Sequence, residues 1–177
     1  MSIVQKATIK PINNQEPIIK FTQQVYDDIM RTLGLRRPEC GGVLGSSDGS
    51  NVIDFFYFDK TANVSDLTYT PNIEIINNIL YQWNIQGIRM VGIVHSHPTG
   101  YDSPSEPDRI YTKRILDVLE ENYFLLPIVH KTLIGKHEIK GFYAYRSEIA
   151  FDIHADINVP TIRSCSVNIL KDKNDNE

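Results

Sequence analysis

Ile88 to Val94 is a short apolar run, with Met90, Val91, Ile93 and Val94 at its heart, and it ends abruptly in His95-Ser96-His97-Pro98. A run of that length between turn signals predicts a strand buried on both faces, so the chain must supply covering layers above and below it. In extended backbone, residues two apart point to the same side. His95 and His97 therefore present both imidazoles to one point at the end of that strand. Two of the chain's 5 histidines fall there, which weakens the reading of each as an isolated packed or solvated ring. On the pair alone, a metal site and a pair of ordinary histidines stay equally open.

The flanking sequence supplies the layers. Phe21, Val25, Ile29 and Leu33 recur every fourth residue and predict a helix, ended by Gly34 in a left-handed cap. Glu39-Cys40-Gly41-Gly42-Val43-Leu44-Gly45 reads as a tight turn entering a strand. Asp48-Gly49 signals a hairpin, and Val52 to Phe58 is the returning strand. Asp59 to Pro71 reads as a polar loop. Asn72 caps a second helix whose Ile75, Ile76, Ile79, Leu80 and Trp83 share a face. Ser105 to Asn122 predicts a third helix with Pro107 in its first turn and Ile115, Leu116 and Leu119 inward. Tyr123 to His130 and Lys136 to Arg146 read as a strand pair around Gly135. Short strands are also expected near Ile3 to Ile9 and from Ile149 to Ile157, and Lys171 to Glu177 as a frayed tail. Strands and helices alternate while several strands are hairpin-linked, so the expectation is an α/β sandwich with a mixed sheet, one domain over residues 1–170 and a tail over 171–177.

At 177 residues the chain suits a single core, and a net charge of -4 argues against nucleic acid as a partner, since phosphate binding needs a concentrated basic surface. The doublet Arg36-Arg37 is too small to be one. The 2 cysteines, Cys40 and Cys165, are too few for a thiolate zinc site and do not form a disulfide framework. No signal pattern opens the chain and no apolar run approaches the ~20 residues of a membrane span, so no membrane partner and a cytoplasmic location are expected.

Ser105 and Asp108 have the spacing of a capping box, with Ser105 as N-cap and an acid three residues on. A helix start fixed in that way is rigid, and Asp108 on it can face the histidines as a third ligand. Two neutral imidazoles and one carboxylate would leave zinc positively charged with one open position, where a water has its pKa lowered to about 7. Such a water needs a base that passes its proton to the leaving amine. Glu39, flanked by Pro38, Cys40 and two glycines, is the candidate, although by residue type alone it is one acid among many.

Taken together, Glu39, His95-Ser96-His97-Pro98, Ser105 and Asp108 resemble the signature of the JAMM metalloproteases, the catalytic MPN-plus or JAB-type branch of the MPN fold. That signature is a glutamate before a glycine-rich strand, then His-Ser/Thr-His, seven residues, Ser, two residues and Asp, and every part is present here. The resemblance spans roughly Phe21 to Arg146 and implies an MPN-like, cytidine-deaminase-like mixed sheet sandwiched by helices. It implies that His95, His97 and Asp108 bind zinc, that Glu39 shuttles the proton, and that Ser105 stabilises the oxyanion, with Ser96 supporting the ligands. The implied reaction is hydrolysis of a peptide or isopeptide bond after the C-terminal tail of a ubiquitin-like protein, held extended along a strand edge. The short chain, Gly41-Gly42 and the brief loop Lys60 to Thr70 are closer to the bacterial JAB branch. Members of that branch often accompany E1- and E2-like enzymes, in some cases in antiphage systems, and others trim ubiquitin-like sulfur carriers. Many MPN domains work as pairs, so the resemblance leaves oligomeric state open.

Three other readings compete. Cys40 with a histidine would make a cysteine hydrolase, but a buried structural cysteine is the commoner case. A non-catalytic MPN scaffold is disfavoured because no ligand is missing. A metallo-β-lactamase pattern would continue differently after His97. Ordinary readings serve elsewhere: His130, His137 and His154 as surface or edge positions, Trp83 and Phe55-Phe56-Tyr57-Phe58 as core or partner surface, and Tyr101 and Asp102 as channel lining by their place in the ligand loop.

Overall fold

The computed structural model describes residues 17–34, 39–48, 52–65, 68–119, 123–145 and 161–171. In chain order these form β1 (Ile19–Thr22), α1 (Gln23–Thr32), β2 (Gly41–Ser46), β3 (Val52–Ile53), β4 (Phe55–Phe58), β5 (Asn63–Ser65), β6 (Thr68–Thr70) and α2 (Ile73–Ile85). They continue as β7 (Arg89–Ser96), α3 (Glu106–Leu119), β8 (Tyr123–Leu125), β9 (Ile128–Lys131), β10 (His137–Tyr145), β11 (Thr161–Cys165) and β12 (Val167–Leu170).

The apolar run becomes β7 and lies inside the main sheet, ordered β11-β10-β8-β7-β2-β4. It pairs antiparallel with β2 and parallel with both β8 and β9, so the sheet is mixed. β8 and β9 follow one another along the same edge of β7 and are interrupted at Leu126-Pro127, where proline has no N–H for a ladder. Neighbouring residues fall into opposite cores. Leu44, Val94, Leu125 and Tyr143 pack with Val25 and Ile29 of α1 and with Leu33 at its C-cap. Val43, Ile93, Phe124 and Ala144 pack with Ile76 and Trp83 of α2 and Leu116 of α3. Period-two alternation thus feeds two cores from one sheet. The large side chains at 0 to 1% exposure, such as Leu44, Phe124 and Leu125, each contribute about 1.5–3 kcal/mol by burial and lock the register that aims the end of β7.

The α/β sandwich with a mixed sheet is therefore present, with several differences in detail. Phe21 is in a strand, not the first helix: Thr22 caps α1 by accepting from the Val25 N–H, and β1 pairs with β3 and β12 in a second, three-stranded sheet. Phe21 keeps its buried position because β1 leads directly into the helix. Gly34 is not left-handed. It follows α1 with its N–H on the Met30 carbonyl, so close that a Cβ there would sit 2.5 Å from that oxygen. The stretch Val52 to Phe58 divides at Asp54, its first part joining the small sheet and its second the large one. The expected polar loop after Asp59 contains the β5–β6 hairpin.

Asn72 caps α2 as expected, its side chain accepting from the Ile75 N–H at 3.3 Å. Gly135 makes the β9–β10 turn at φ 87°, where a side chain would be strained. β11 and β12, which periodicity did not signal, close the edges of the two sheets. The strands expected near Ile3 to Ile9 and from Ile149 to Ile157, and the tail from 172 onward, lie outside the described residues. None of the described helices is long and apolar enough to cross a membrane.

Candidate metal centre

β7 runs two residues beyond the apolar stretch, so His95 and Ser96 are in the strand and His97 follows it. His95 shares a face with Ile93, the face covered by α2 and α3. The backbone N–H of His97 bonds the Val129 carbonyl of β9 at 2.8 Å, which extends the ladder and keeps His97 on the same side as His95. The two Nε2 atoms lie 2.8 Å apart, with the rings at an interplanar angle of 66°.

α3 supplies the third group. Its capping box is real: the Asp108 Oδ2 accepts from the Ser105 N–H at 2.7 Å and from the Ser105 hydroxyl at 2.6 Å. The Asp108 N–H in turn reaches the Ser105 Oγ at 3.4 Å. The same carboxylate faces the histidines, with Oδ1 3.1 Å from the His95 Nε2 and Oδ2 3.3 Å from the His97 Nε2. Capping and convergence are thus one arrangement, since the bonds that start the helix also aim the carboxylate.

His95, His97 and Asp108 offer donor atoms all within 4.8 Å of one another and can hold a metal ion. The donor set fits zinc. Bonds of about 2.0–2.1 Å at tetrahedral angles place ligand atoms about 3.3 Å apart, close to the spacings found. Two ring nitrogens whose lone pairs converge with a carboxylate need a cation or a proton between them. The far Nδ1 atoms of both rings are buried without a protein hydrogen-bond partner, so no carbonyl or carboxylate of the described residues fixes their tautomers. Burial pushes the Asp108 carboxyl up, but hydrogen bonds and charge from His95 and His97 outweigh it and hold the group well below the usual carboxylate range.

Glu39 lies just ahead of β2, whose first residue, Gly41, pairs with His95. Burial raises the Glu39 carboxyl above its ordinary value, the His97 and His95 rings pull it down, and Asp108 pushes it up. The charge interactions put Glu39 in the neighbourhood of the cluster, which it does not join. Ser105 is exposed, at the mouth of the site. Tyr101 is exposed as well, and Asp102 turns outward to pair with Lys140 and Ser103.

One histidine, His130, departs from its ordinary reading as a surface or edge position. His130 is buried on β9, only 5% exposed, with neither ring nitrogen bonded to protein, because its strand lies inside the sheet beside β7. His137 is half-buried in β10 and His154 is outside the described residues. Ser96 points away from the ligands it separates and bonds to Cys40. Cys40 is buried, as its structural reading expects, and Cys40 and Cys165 are not disulfide-linked.

Asp59 and Tyr69 were not legible in advance. Asp59 is 2% exposed and accepts from the Thr61 N–H and hydroxyl, the Tyr69 hydroxyl and the Asn72 N–H. The Tyr69 ring packs against Gly41, where a Cβ would come within 2.6 Å of it. The hairpin β5–β6 is thereby held against the strand start that carries Glu39. The one available signal was Asp59-Lys60-Thr61 at a strand end, a turn pattern in which Asp bonds the backbone two residues on.

Comparisons with known proteins agree with this architecture. A Desulfitobacterium hafniense protein known from its solution structure superposes with a TM-score of 0.62 over 88% of this chain and 94% of that one. At 14% identity the likeness is one of fold. Among curated proteins none matches this chain. The sequence profile of prokaryotic homologs of the JAB domain matches residues 22–140, which include Glu39, both histidines, Ser105 and Asp108. The chain belongs to that family, the prokaryotic JAB domains.

Proposed function

We propose that this protein is a zinc-dependent peptidase or isopeptidase that cuts after the C-terminal tail of a ubiquitin-like protein, in deconjugation or precursor maturation. The observation that carries the reading is the convergence of His95, His97 and Asp108 on one point, and the Gly41–His95 pairing, which brings the start of β2 and the neighbouring Glu39 near them, supports it. The JAB family includes metalloproteases, and this chain keeps each residue of their signature.

Zinc held by the His95 and His97 Nε2 atoms and the Asp108 carboxylate would supply a Lewis acid that makes water a usable nucleophile near neutral pH. The remaining work belongs to the chain. The Glu39 carboxylate takes a proton from the attacking water as the C–O bond forms. It returns the proton to the departing amine as the C–N bond breaks. Partial burial raises its pKa toward the range in which a carboxyl does both. The Ser105 hydroxyl turns from Asp108 to the developing oxyanion, while the Ser105 N–H keeps its bond to Oδ2 so the ligand stays aimed. E1- and E2-like enzymes would be the natural companions of such an enzyme in a cytoplasmic conjugation or antiphage system. Trimming of a ubiquitin-like sulfur carrier is the alternative within the same chemistry.

The test is cleavage of a panel of ubiquitin-like fusions by the zinc-loaded protein. Cleavage should stop with a chelator, return with zinc and survive iodoacetamide. A protein that binds one zinc per chain and cuts none of the fusions would be a scaffold instead.

A further inference from the structure

The junction beneath the histidines has a second face. Val94 and Cys40 belong to the core under α1, opposite to the face that His95 shares with Ile93. Ser96, 6% exposed, is on the Val94 side by alternation, and there it engages Cys40 through both its side chain and its backbone. The Cys40 N–H donates to the Ser96 Oγ at 3.0 Å. The Cys40 carbonyl accepts from the Ser96 hydroxyl at 3.3 Å and from the Ser96 N–H at 2.8 Å. Both backbone polar groups of Cys40 are thus tied to one residue between the two histidines. Cys40 directly follows Glu39, and the β2 ladder begins only at Gly41.

We infer that Ser96 is a positioning residue for Glu39: by clamping Cys40 to the end of β7 it holds the base in register with the histidines. The inference rests on the hydrolase reading and deepens it. A residue between His95 and His97 must point away from them, so any small side chain would fit. Only a hydroxyl both accepts from the Cys40 N–H and donates to its carbonyl. Removing the hydroxyl leaves the Ser96 N–H on the Cys40 carbonyl but takes this acceptor from the Cys40 N–H, which loosens the residue beside Glu39, and angstrom-scale misplacement of a reacting group costs roughly a hundredfold in rate.

The experiment compares wild type with Ser96→Ala and Ser96→Thr. It reads zinc per chain, Cys40 amide exchange and the Glu39 carboxyl resonance by NMR, and kcat and KM on the best-cleaved ubiquitin-like fusion. Ser96→Ala should keep its zinc, exchange the Cys40 amide about tenfold faster, shift the Glu39 resonance and lose roughly a hundredfold in kcat at unchanged KM. Ser96→Thr, which keeps the hydroxyl, should restore all of these. Wild-type exchange and kcat in Ser96→Ala would overturn the clamp, as would loss of zinc in step with activity, which would make Ser96 a support of the ligands. Should the alanine variant not fold, Ser96→Cys, with weaker hydrogen bonds, must move exchange and kcat in the same direction. If zinc-loaded wild type cuts no fusion, the hydrolase reading falls by itself. The clamp is then decided by whether Ser96→Ala moves the Cys40 exchange and the Glu39 resonance.

Discussion

Asp59 and Asp108 are alike in one respect: each accepts the N–H of the residue that caps a helix, Asn72 before α2 and Ser105 before α3. Each also accepts a hydroxyl, from Thr61 and from Ser105, and they differ in the rest of what they touch. The remaining partners of Asp59 are the Thr61 N–H and hydroxyl and the Tyr69 hydroxyl, all of which bring their own hydrogens. Asp108 faces two imidazole nitrogens that also face each other. A carboxylate surrounded by N–H and O–H donors is complete as protein and fixes a loop. One that shares its space with two imidazole nitrogens needs a proton or a cation among them, and can serve as a metal ligand. Partner chemistry thus separates a structural acid from a candidate ligand where burial does not, since the structural one is the more buried.

The largest expected effect breaks the cluster directly. Asp108→Ala or His97→Ala should reduce bound zinc to a small fraction of one per chain and bring cleavage to background. Asp108→Ala also loses its half of the capping box, about 1 kcal/mol of stability. Zinc analysis beside calorimetry separates the two losses, and unchanged metal content would remove these residues from the ligand set.

Glu39→Ala should retain zinc yet lose about two to four orders of magnitude in rate, the usual contribution of a positioned acid–base group. Burial first, and then the Asp108 charge, raise this carboxyl against the pull of the imidazoles. The base works ionised, so activity should fall as pH drops and Glu39 takes up a proton. An acid limb surviving in Glu39→Gln would assign the proton transfer elsewhere. Ser105→Ala should fold and bind zinc, its N–H still on Asp108, and lose roughly a hundredfold in kcat as one missing oxyanion donor. Wild-type kinetics would leave Ser105 as a cap alone.

The ligand cluster was legible because its constraints are local. Strand alternation puts His95 and His97 together within three residues, and a capping box fixes Asp108 at the head of its helix. The position of Glu39 is not local. It depends on the β2–β7 register, which sequence spacing does not encode, and it entered through resemblance. Phe21 was misplaced because a fourfold spacing continues the helical stripe whether or not the backbone is helical, and Thr22 decides the boundary by capping. The Asp59 network joins groups up to 13 residues apart through side chains of ordinary polar type, so beyond the local Asp59-Lys60-Thr61 turn its pattern matched that of a solvated loop. His130 looked like an edge residue because strand order, not composition, buries it.

The smallest effect tests the structural half of the contrast. Tyr69→Phe removes one donor to Asp59 and leaves the ring against Gly41, so it should keep zinc and most activity while losing about 1 kcal/mol near pH 8. Asp59→Asn should cost more, about 1–3 kcal/mol, because the buried Tyr69, Thr61 and Asn72 donors lose their charged acceptor. The Tyr69 phenol is raised above its ordinary value by burial first and by the Asp59 charge second. With the folded value above the unfolded one, its contribution is fully present below pH about 10 and is lost as pH rises toward the folded value. Wild type should therefore lose stability more steeply than Tyr69→Phe above pH 10, and the gap between them should close. Denaturation curves that stay parallel across that range would mean that Tyr69 does not donate to Asp59. The hairpin would then rest on packing against Gly41, and Asp59 would have one donor fewer to set it apart from Asp108.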